Sequence, residues 1–343
     1  QAALPRSSGK GSGRKKPRMS ERFTREELVE AAALVHRQLS PTAQIGWPLL
    51  SQATGVEVVV KHENHLPTGA FKVRGGITYV DWLRRTQPTV PGLCTATRGN
   101  HGQSQARAAT AAGLRALIYV PHGNSHEKNA AMRAYGAEVV EFGRDFDEAR
   151  EEAYRVAARD GLAVVPPFHR ELVRGVATAG LELLTACPDL HTVYVPIGAG
   201  SGIAGMIAAR DALGLGTRIV GVVAAGSPTV KLSLDAGRPV ATARAETIAD
   251  GLAVRVPVPE ALAIIAEGAE RLVSVTDDEI AHAMRLYFRT IHSVAEGAGA
   301  APLAALFAER ERMAGHRVGV VLSGGSVDSD RFATILSGGL PPP

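Results

Sequence analysis

The sequence is poor in cysteine, in aromatic residues and in long apolar runs, and each shortage closes a class of answers. Two cysteines in 343 residues, Cys94 and Cys187, cannot build a disulfide framework, and their spacing fits no metal site. Cys94 falls in an apolar, strand-like run and Cys187 stands before Pro188 after a helical stretch, so a reducing cytoplasm is the expected compartment. No run of about 18 apolar residues occurs, so no membrane-spanning helix is expected. The remaining composition, 45% hydrophobic and 21% charged, is that of a globular chain long enough for one large or two medium domains.

Acid is missing from one place in particular. Residues 1–18, QAALPRSSGKGSGRKKPR, carry six basic residues and no acidic one. The whole chain has a formal charge of +4, from 38 Lys+Arg against 34 Asp+Glu; without the first 18 residues the count is 32 against 34, or −2. The basicity therefore belongs to a tail, and no nucleic-acid partner is expected for the folded body. Met19 is read as the natural start and the tail as an appended remnant; a basic arm for nucleic acid is the other reading. The tail has no apolar core and so is no secretory signal.

What is present is a regular alternation. The stretch 23–39 reads as a helix capped by Thr24, with Glu27 completing a capping box. Residues 56–61 read as a strand and 71–85 as a helix. From Leu93 the chain runs strand (93–97), helix (99–113), strand (115–120), helix (125–136), strand (137–142), helix (145–161), strand (162–167). This βαβαβαβ pattern predicts a parallel sheet covered by helices. A second set follows: helix 172–188, strand 192–198, helix 201–214, strand 218–225, then weakly periodic loop and short helix over 230–256. Strand 272–277, helices 277–291 and 299–315, and strand 317–325 close the pattern. The expected architecture is two α/β domains, each three-layered with a mostly parallel sheet. The larger is formed by 19–93 and 169–343, and the smaller, 94–168, is inserted into it.

Three strand–turn–helix junctions carry chemistry. In VPIGAGSGIAG, 195–205, a strand meets a glycine-rich turn and a helix start, where N–H groups bind phosphate. Gly200, Gly202 and Gly205 form G-x-G-x-x-G, but the next strand lacks the acidic residue that a dinucleotide ribose requires. In TRGNHGQ, 97–103, Thr97, Gly99 and Asn100 place polar groups at a helix start, which suits a substrate carboxylate; Asn100 is equally a plain cap, and His101 is either catalytic or structural. Ser323, in VLSGGSVD, lies at the end of a strand, where α/β folds bind ligands, or is a simple turn serine. Lys72, in KHENHLPTGAFKVRGG, is either a surface lysine or an amine held in a tight pocket to form a Schiff base.

These stretches, with ETIADGLAV at 246–254, resemble in order and spacing the fold-type II pyridoxal-phosphate enzymes, whose fold is tryptophan synthase β-like. More narrowly they resemble the serine/threonine dehydratases (threonine ammonia-lyases) and serine racemases without a C-terminal regulatory domain, from about residue 40 onward. The resemblance implies pyridoxal 5′-phosphate as cofactor, with Lys72 bound to it as a Schiff base and Phe71 beside its ring. Gly198, Ala199, Gly200, Ser201 and Gly202 would cradle the phosphate. Asn100 would bond the ring hydroxyl and Ser323 the pyridine nitrogen, with Gly251 and Glu296 lining the cofactor. Thr97, Arg98, Gly99, Asn100 and His101 would hold the substrate. The implied reaction is dehydration and deamination of a β-hydroxy-α-amino acid (threonine, serine or a β-aryl serine such as phenylserine) to a 2-oxo acid and ammonia. An amino-acid racemase or a β-replacement enzyme is the alternative. A cytoplasmic homodimer is the implied form.

Three departures qualify the resemblance. Arg98 stands where racemases carry a serine as second acid/base, and a guanidinium cannot do that work. Val223 and Pro228 stand where relatives carry acidic ligands, so no metal is expected there. FHRELVRGVATAG, 168–180, lacks the usual Gly-Gln-Gly-Thr, which leaves substrate size open.

Overall fold

The computed structural model describes residues 23–343, so the readings of 1–18 and of Met19 fall outside the described residues. Ten strands make up its two sheets: β1 (Gln44–Gly46), β2 (Glu57–His62), β3 (Gly92–Ala96), β4 (Arg115–Val120), β5 (Glu138–Glu141), β6 (Ala163–Val164), β7 (Thr192–Pro196), β8 (Arg218–Ala224), β9 (Arg271–Val275) and β10 (Arg317–Leu322). One sheet has the order β1-β2-β10-β7-β8-β9 and the other β5-β4-β3-β6. All pairs are parallel except β1 with β2. The smaller sheet comes from one continuous stretch, and the larger from chain on both sides of it.

Side chains along single strands explain the layering. On β2, Val58 and Val60 enter one apolar cluster and Val59 another; on β8, Val220 and Val222 part from Ile219 and Val223 in the same way. Ile118 and Val120 of β4 likewise face one cluster, and Leu117 and Tyr119 another. Successive residues of a strand point to opposite faces, so each sheet is buried on both sides and reads as a near-continuous apolar run. Each sheet is thus the middle of three layers.

Local chemistry sets the helix ends. Thr24 and Glu27 form the expected capping box on Arg25–His36. The Ser125 hydroxyl accepts from the Lys128 N–H at the start of His126–Ala134, and Gly136 takes φ +88° after its end. The predicted strand over 162–167 shrinks to Ala163–Val164, because Pro166 and Pro167 offer no N–H to a ladder. Four elements had no sequence signal strong enough to name them: β1 and the helices Pro48–Thr54, Pro259–Gly268 and Ser329–Leu336. The stretch 230–256 holds most of a short helix, Thr229–Asp235, and a 3-10 turn, Asp250–Leu252.

Candidate active site

Six separate stretches meet at the carboxyl ends of β3, β7 and β10. Lys72 is the first residue of helix Lys72–Thr86. The segment before it is tied to the chain after β10: Phe71 N–H donates to Ser323 O at 3.0 Å, and Gly325 N–H to Gly69 O at 2.8 Å. The Lys72 carbonyl accepts from Ser104 Oγ at 2.6 Å, which fastens this helix to Asn100–Ala111. The two glycines after Arg74 serve packing. A Cβ on Gly75 would lie 2.8 Å from Leu172 O, and one on Gly76 2.4 Å from Ser104 Oγ. The Lys72 amine lies 5.1 Å from the centre of the Phe71 ring and has no hydrogen-bonding partner among the described residues. Burial lowers its pKa, against the opposing pull of the Glu296 carboxylate.

The turn after β3 is shaped by Thr97, whose Oγ1 accepts from Gly99 N–H at 3.0 Å and Gly102 N–H at 3.3 Å. The Gly99 N–H expected to face a ligand is therefore engaged within the turn. Asn100 Nδ2 donates to Glu296 Oε1 at 2.7 Å, while Asn100 Oδ1 and His101 Nε2 are buried without partners. Burial and the neighbouring Lys72 charge push the His101 pKa down to about 3, partly offset by a hydrogen bond with the Val165 backbone. His101 is thus neutral at physiological pH. Arg98 is exposed, and its side chain pairs with no described residue.

After β7, Gly200 takes φ +99° and opens helix Ser201–Ala212. The first N–H groups of a helix have no intrahelical acceptor, so this turn offers a row of donors. The backbone is closely approached at Gly198, where a Cβ would stand 2.1 Å from Gly251 O, while a Cβ on Gly202 would make only ordinary contact with the Phe71 ring at 3.4 Å. Gly205 has another task, since its Cβ would meet Ala177 N at 2.8 Å across a helix–helix contact. Ser323 is buried just beyond β10 and shares a small apolar cavity with Phe71 and Gly202. Glu296 stands at the N-cap position of helix Gly297–Ala308, with its side chain turned to Asn100 rather than to the helix N–H groups. Burial raises its pKa to about 7, with Lys128 and Asn100 pulling the other way.

A family model described as pyridoxal-phosphate dependent enzyme matches residues 35–324. The chain belongs to the pyridoxal-phosphate dependent enzymes. Its relatives within that family include an L-threonine ammonia-lyase of Geobacter sulfurreducens, 36% identical over 314 residues, 91% of this chain and 78% of that protein. Among solved structures, the processed form of threonine deaminase isoform 2 from Solanum lycopersicum superposes with a TM-score of 0.86 at 29% identity, over 91% of this chain and 92% of that one. The serine racemase of maize gives 0.85 at 25% identity, over 92% and 97%. The family fold therefore serves both kinds of chemistry, and residues must decide between them.

The geometry fits the cofactor of a pyridoxal-phosphate dependent enzyme. An amine without a hydrogen-bonding partner, two buried unpartnered polar atoms on Asn100 and His101, a donor-rich turn with no room for a Cβ on Gly198 or Gly200, and a buried serine come together from separate stretches. Among the described residues no group of three or more His, Cys, Asp or Glu is placed to hold a metal.

Sequence reasoning missed two groups. Lys128 reaches the site from helix His126–Ala134 and ion-pairs with Asp250 at 3.0 Å. Arg74, two residues after Lys72, is fully buried in a charge cluster. Its guanidinium donates to Glu63 at 2.7 and 2.9 Å, to Glu182 at 2.6 and 2.9 Å, to Thr178 at 3.0 Å and to Thr42 at 3.4 Å. Lys61, 2.6 Å from Glu182, belongs to the same cluster, and the partly exposed His36 meets Glu182 at 2.7 Å on its outer side. The Arg-Gly-Gly signature after Lys72 was its only trace in the sequence.

Proposed function

We propose that the protein is a lyase that dehydrates and deaminates a β-hydroxy-α-amino acid to a 2-oxo acid and ammonia. The observation that carries the reading is the Lys72 amine: half-buried beside the Phe71 ring, without a hydrogen-bonding partner among the described residues, and with its pKa lowered by burial. The similarity to an L-threonine ammonia-lyase supports threonine as a substrate. Serine and β-aryl serines such as phenylserine belong to the same proposal.

Lys72 Nζ would hold pyridoxal phosphate, with the N–H groups from Gly198 to Gly202 on its phosphate, Asn100 at the ring hydroxyl and Ser323 at the pyridine nitrogen. Gly251 and Glu296 would close the remaining sides. When bound, the cofactor supplies an electron sink for negative charge developing at the substrate Cα. The backbone N–H groups of Asn100 and His101, in the first turn of helix Asn100–Ala111 and without intrahelical acceptors, would hold the substrate carboxylate, with Thr97 and Gly99 setting the turn. Lys72, freed by the incoming amino group, would take the Cα proton. Burial aids this step, because a depressed pKa leaves more of the amine neutral. Ser323 is a weaker partner for the ring nitrogen than a carboxylate, which favours prompt loss of the β-hydroxyl. A racemase requires a second acid/base on the opposite face, and the guanidinium of Arg98 cannot do that work.

The proposal includes a cytoplasmic homodimer in which 94–168 is a smaller domain within 19–93 and 169–343. Two free cysteines buried in the chain suit a reducing compartment, and analytical ultracentrifugation would count the subunits.

The test is 2-oxo acid formation from L-threonine, L-serine and L-threo-phenylserine, with Lys72→Ala as control. Turnover lost in the control supports the lyase, and the ranking of rates defines the pocket. A cofactor-loaded wild type that releases no oxo acid from any of the three ends the reading, and racemisation and β-replacement are then assayed.

A further inference from the structure

Lys128 is 9% exposed, and the steps above leave it without a role. Its stem lies against the turn after β3: a Cβ on Gly99 would come within 2.7 Å of Lys128 Cδ. Gly99 has an extended φ of 171°, so this position needs glycine to make room for the lysine rather than for backbone freedom. At its other end the ammonium pairs with Asp250 at 3.0 Å. The next residue, Gly251, has its carbonyl pressed against Gly198, at the start of the turn after β7. One side chain thus spans from the turn facing the substrate to the turn facing the phosphate, and from the smaller sheet to the larger. Its helix is fastened nearby by two further contacts: Ser125 Oγ donates to Asp328 Oδ1 at 2.5 Å, and Glu127 Oε1 accepts from Ser329 N–H at 3.0 Å.

We propose that Lys128 is a positioning residue that sets the distance between these two turns, so that cofactor phosphate and substrate carboxylate are bound in register. The inference rests on the cofactor and substrate assignments proposed above. It also gives Asp250, an exposed residue, a specific task as the anchor of the bridge. A second consequence concerns Glu296, which is faced by Lys128, Asn100, Asp250 and Lys72. Lys128 is the foremost of these in favouring the carboxylate form that accepts from Asn100, so its loss moves the Glu296 titration to higher pH.

The experiment titrates apo-protein with pyridoxal phosphate, read by the visible absorbance of the bound cofactor, for wild type, Lys128→Met, Lys128→Arg and Asp250→Asn. Lys128→Met should raise the cofactor Kd and the KM for L-threonine by about tenfold or more while kcat changes by less than about threefold. Lys128→Arg should recover part of the loss, and the pH profile of cofactor binding should move alkaline in Lys128→Met. Asp250→Asn should shift Kd in the same direction, and it serves as the test if Lys128→Met loses its near-UV circular dichroism. Kd within twofold of wild type in both variants overturns the proposal. If the wild type turns over no β-hydroxy amino acid, the lyase reading fails separately, and the cofactor Kd still decides the role of Lys128.

Discussion

Lys72 and Arg74 stand two residues apart on one helix, yet the amine has no hydrogen-bonding partner among the described residues and the guanidinium has four. Two residues turn a helix through about 200°, so the two side chains leave on opposite faces. On Arg74's face, two cations, Lys61 and Arg74, meet two carboxylates, Glu63 and Glu182, and threonine hydroxyls take up remaining hydrogen bonds. Burial works against these charges, but the pairing outweighs it: Arg74 is held more firmly protonated, and the Glu182 pKa is pulled down to about 2. On Lys72's face the polar atoms of Asn100 and His101 are left open. Burial with pairing fixes a structure; burial without it is a cost borne where a ligand is to bind.

The largest contrast should appear with Lys72→Ala. It should abolish lyase turnover, a loss beyond the roughly 10²–10⁴-fold that a general base alone contributes. The unfolding free energy should stay within about 0.5 kcal/mol of wild type, or rise, because no partner is left unsatisfied. A large loss of stability in denaturant unfolding would show that the amine has a structural partner after all. Arg74→Ala should do the reverse, costing about 3–5 kcal/mol by stranding Glu63 and Glu182 without their partner. A soluble, cofactor-free variant with a wild-type urea midpoint would break the comparison.

Gly200→Ala probes the boundary between the two regimes. The added Cβ would meet Ala261 Cβ at 2.7 Å on a backbone already at φ +99°, so a cost of about 1–3 kcal/mol is expected, with weakened cofactor binding. Calorimetry with and without pyridoxal phosphate separates the two effects.

The smallest effect is in pH. Glu182 has a depressed pKa, so its stabilisation is present above about 4.5 and is lost as pH falls toward 2. Glu296 has a raised pKa, so the free protein loses stability as pH rises from 4.5 through 7. Glu296→Gln should flatten the stability curve in that second window and leave the acid limb unchanged, as read from urea midpoints across pH.

The sequence made the site more legible than the cluster, for a physical reason. Turns that bind anions need glycine and small polar residues in short, contiguous runs, and VPIGAGSGIAG, TRGNHGQ and VLSGGSVD are such runs. Parallel strands buried on both faces are apolar runs, and RALIYV falls on β4 residue for residue. Arg74 finds Glu182 across 108 residues and Lys61 finds it across 121, distances at which no local pattern survives. Lys128 was hidden in the same way, as one ordinary lysine in an amphipathic helix whose partner, Asp250, lies 122 residues on. The short elements failed differently: three-residue β1 is held by its neighbour β2 rather than by propensity of its own.

The strand order has a consequence for a chain emerging from a ribosome. β10, the last strand made, lies inside the larger sheet between β2 and β7. Until it arrives, β2 and β7 have unpaired edges facing one another, the condition in which strands find wrong partners. The smaller sheet draws on residues 92–164 alone and can close while that gap persists. Pulse proteolysis of stalled nascent chains should therefore find protection first within 92–164, and within the larger sheet only after residue 322 has cleared the exit tunnel. Ser323 is the next residue to emerge, so the last residue of the proposed site arrives with the strand that completes its scaffold.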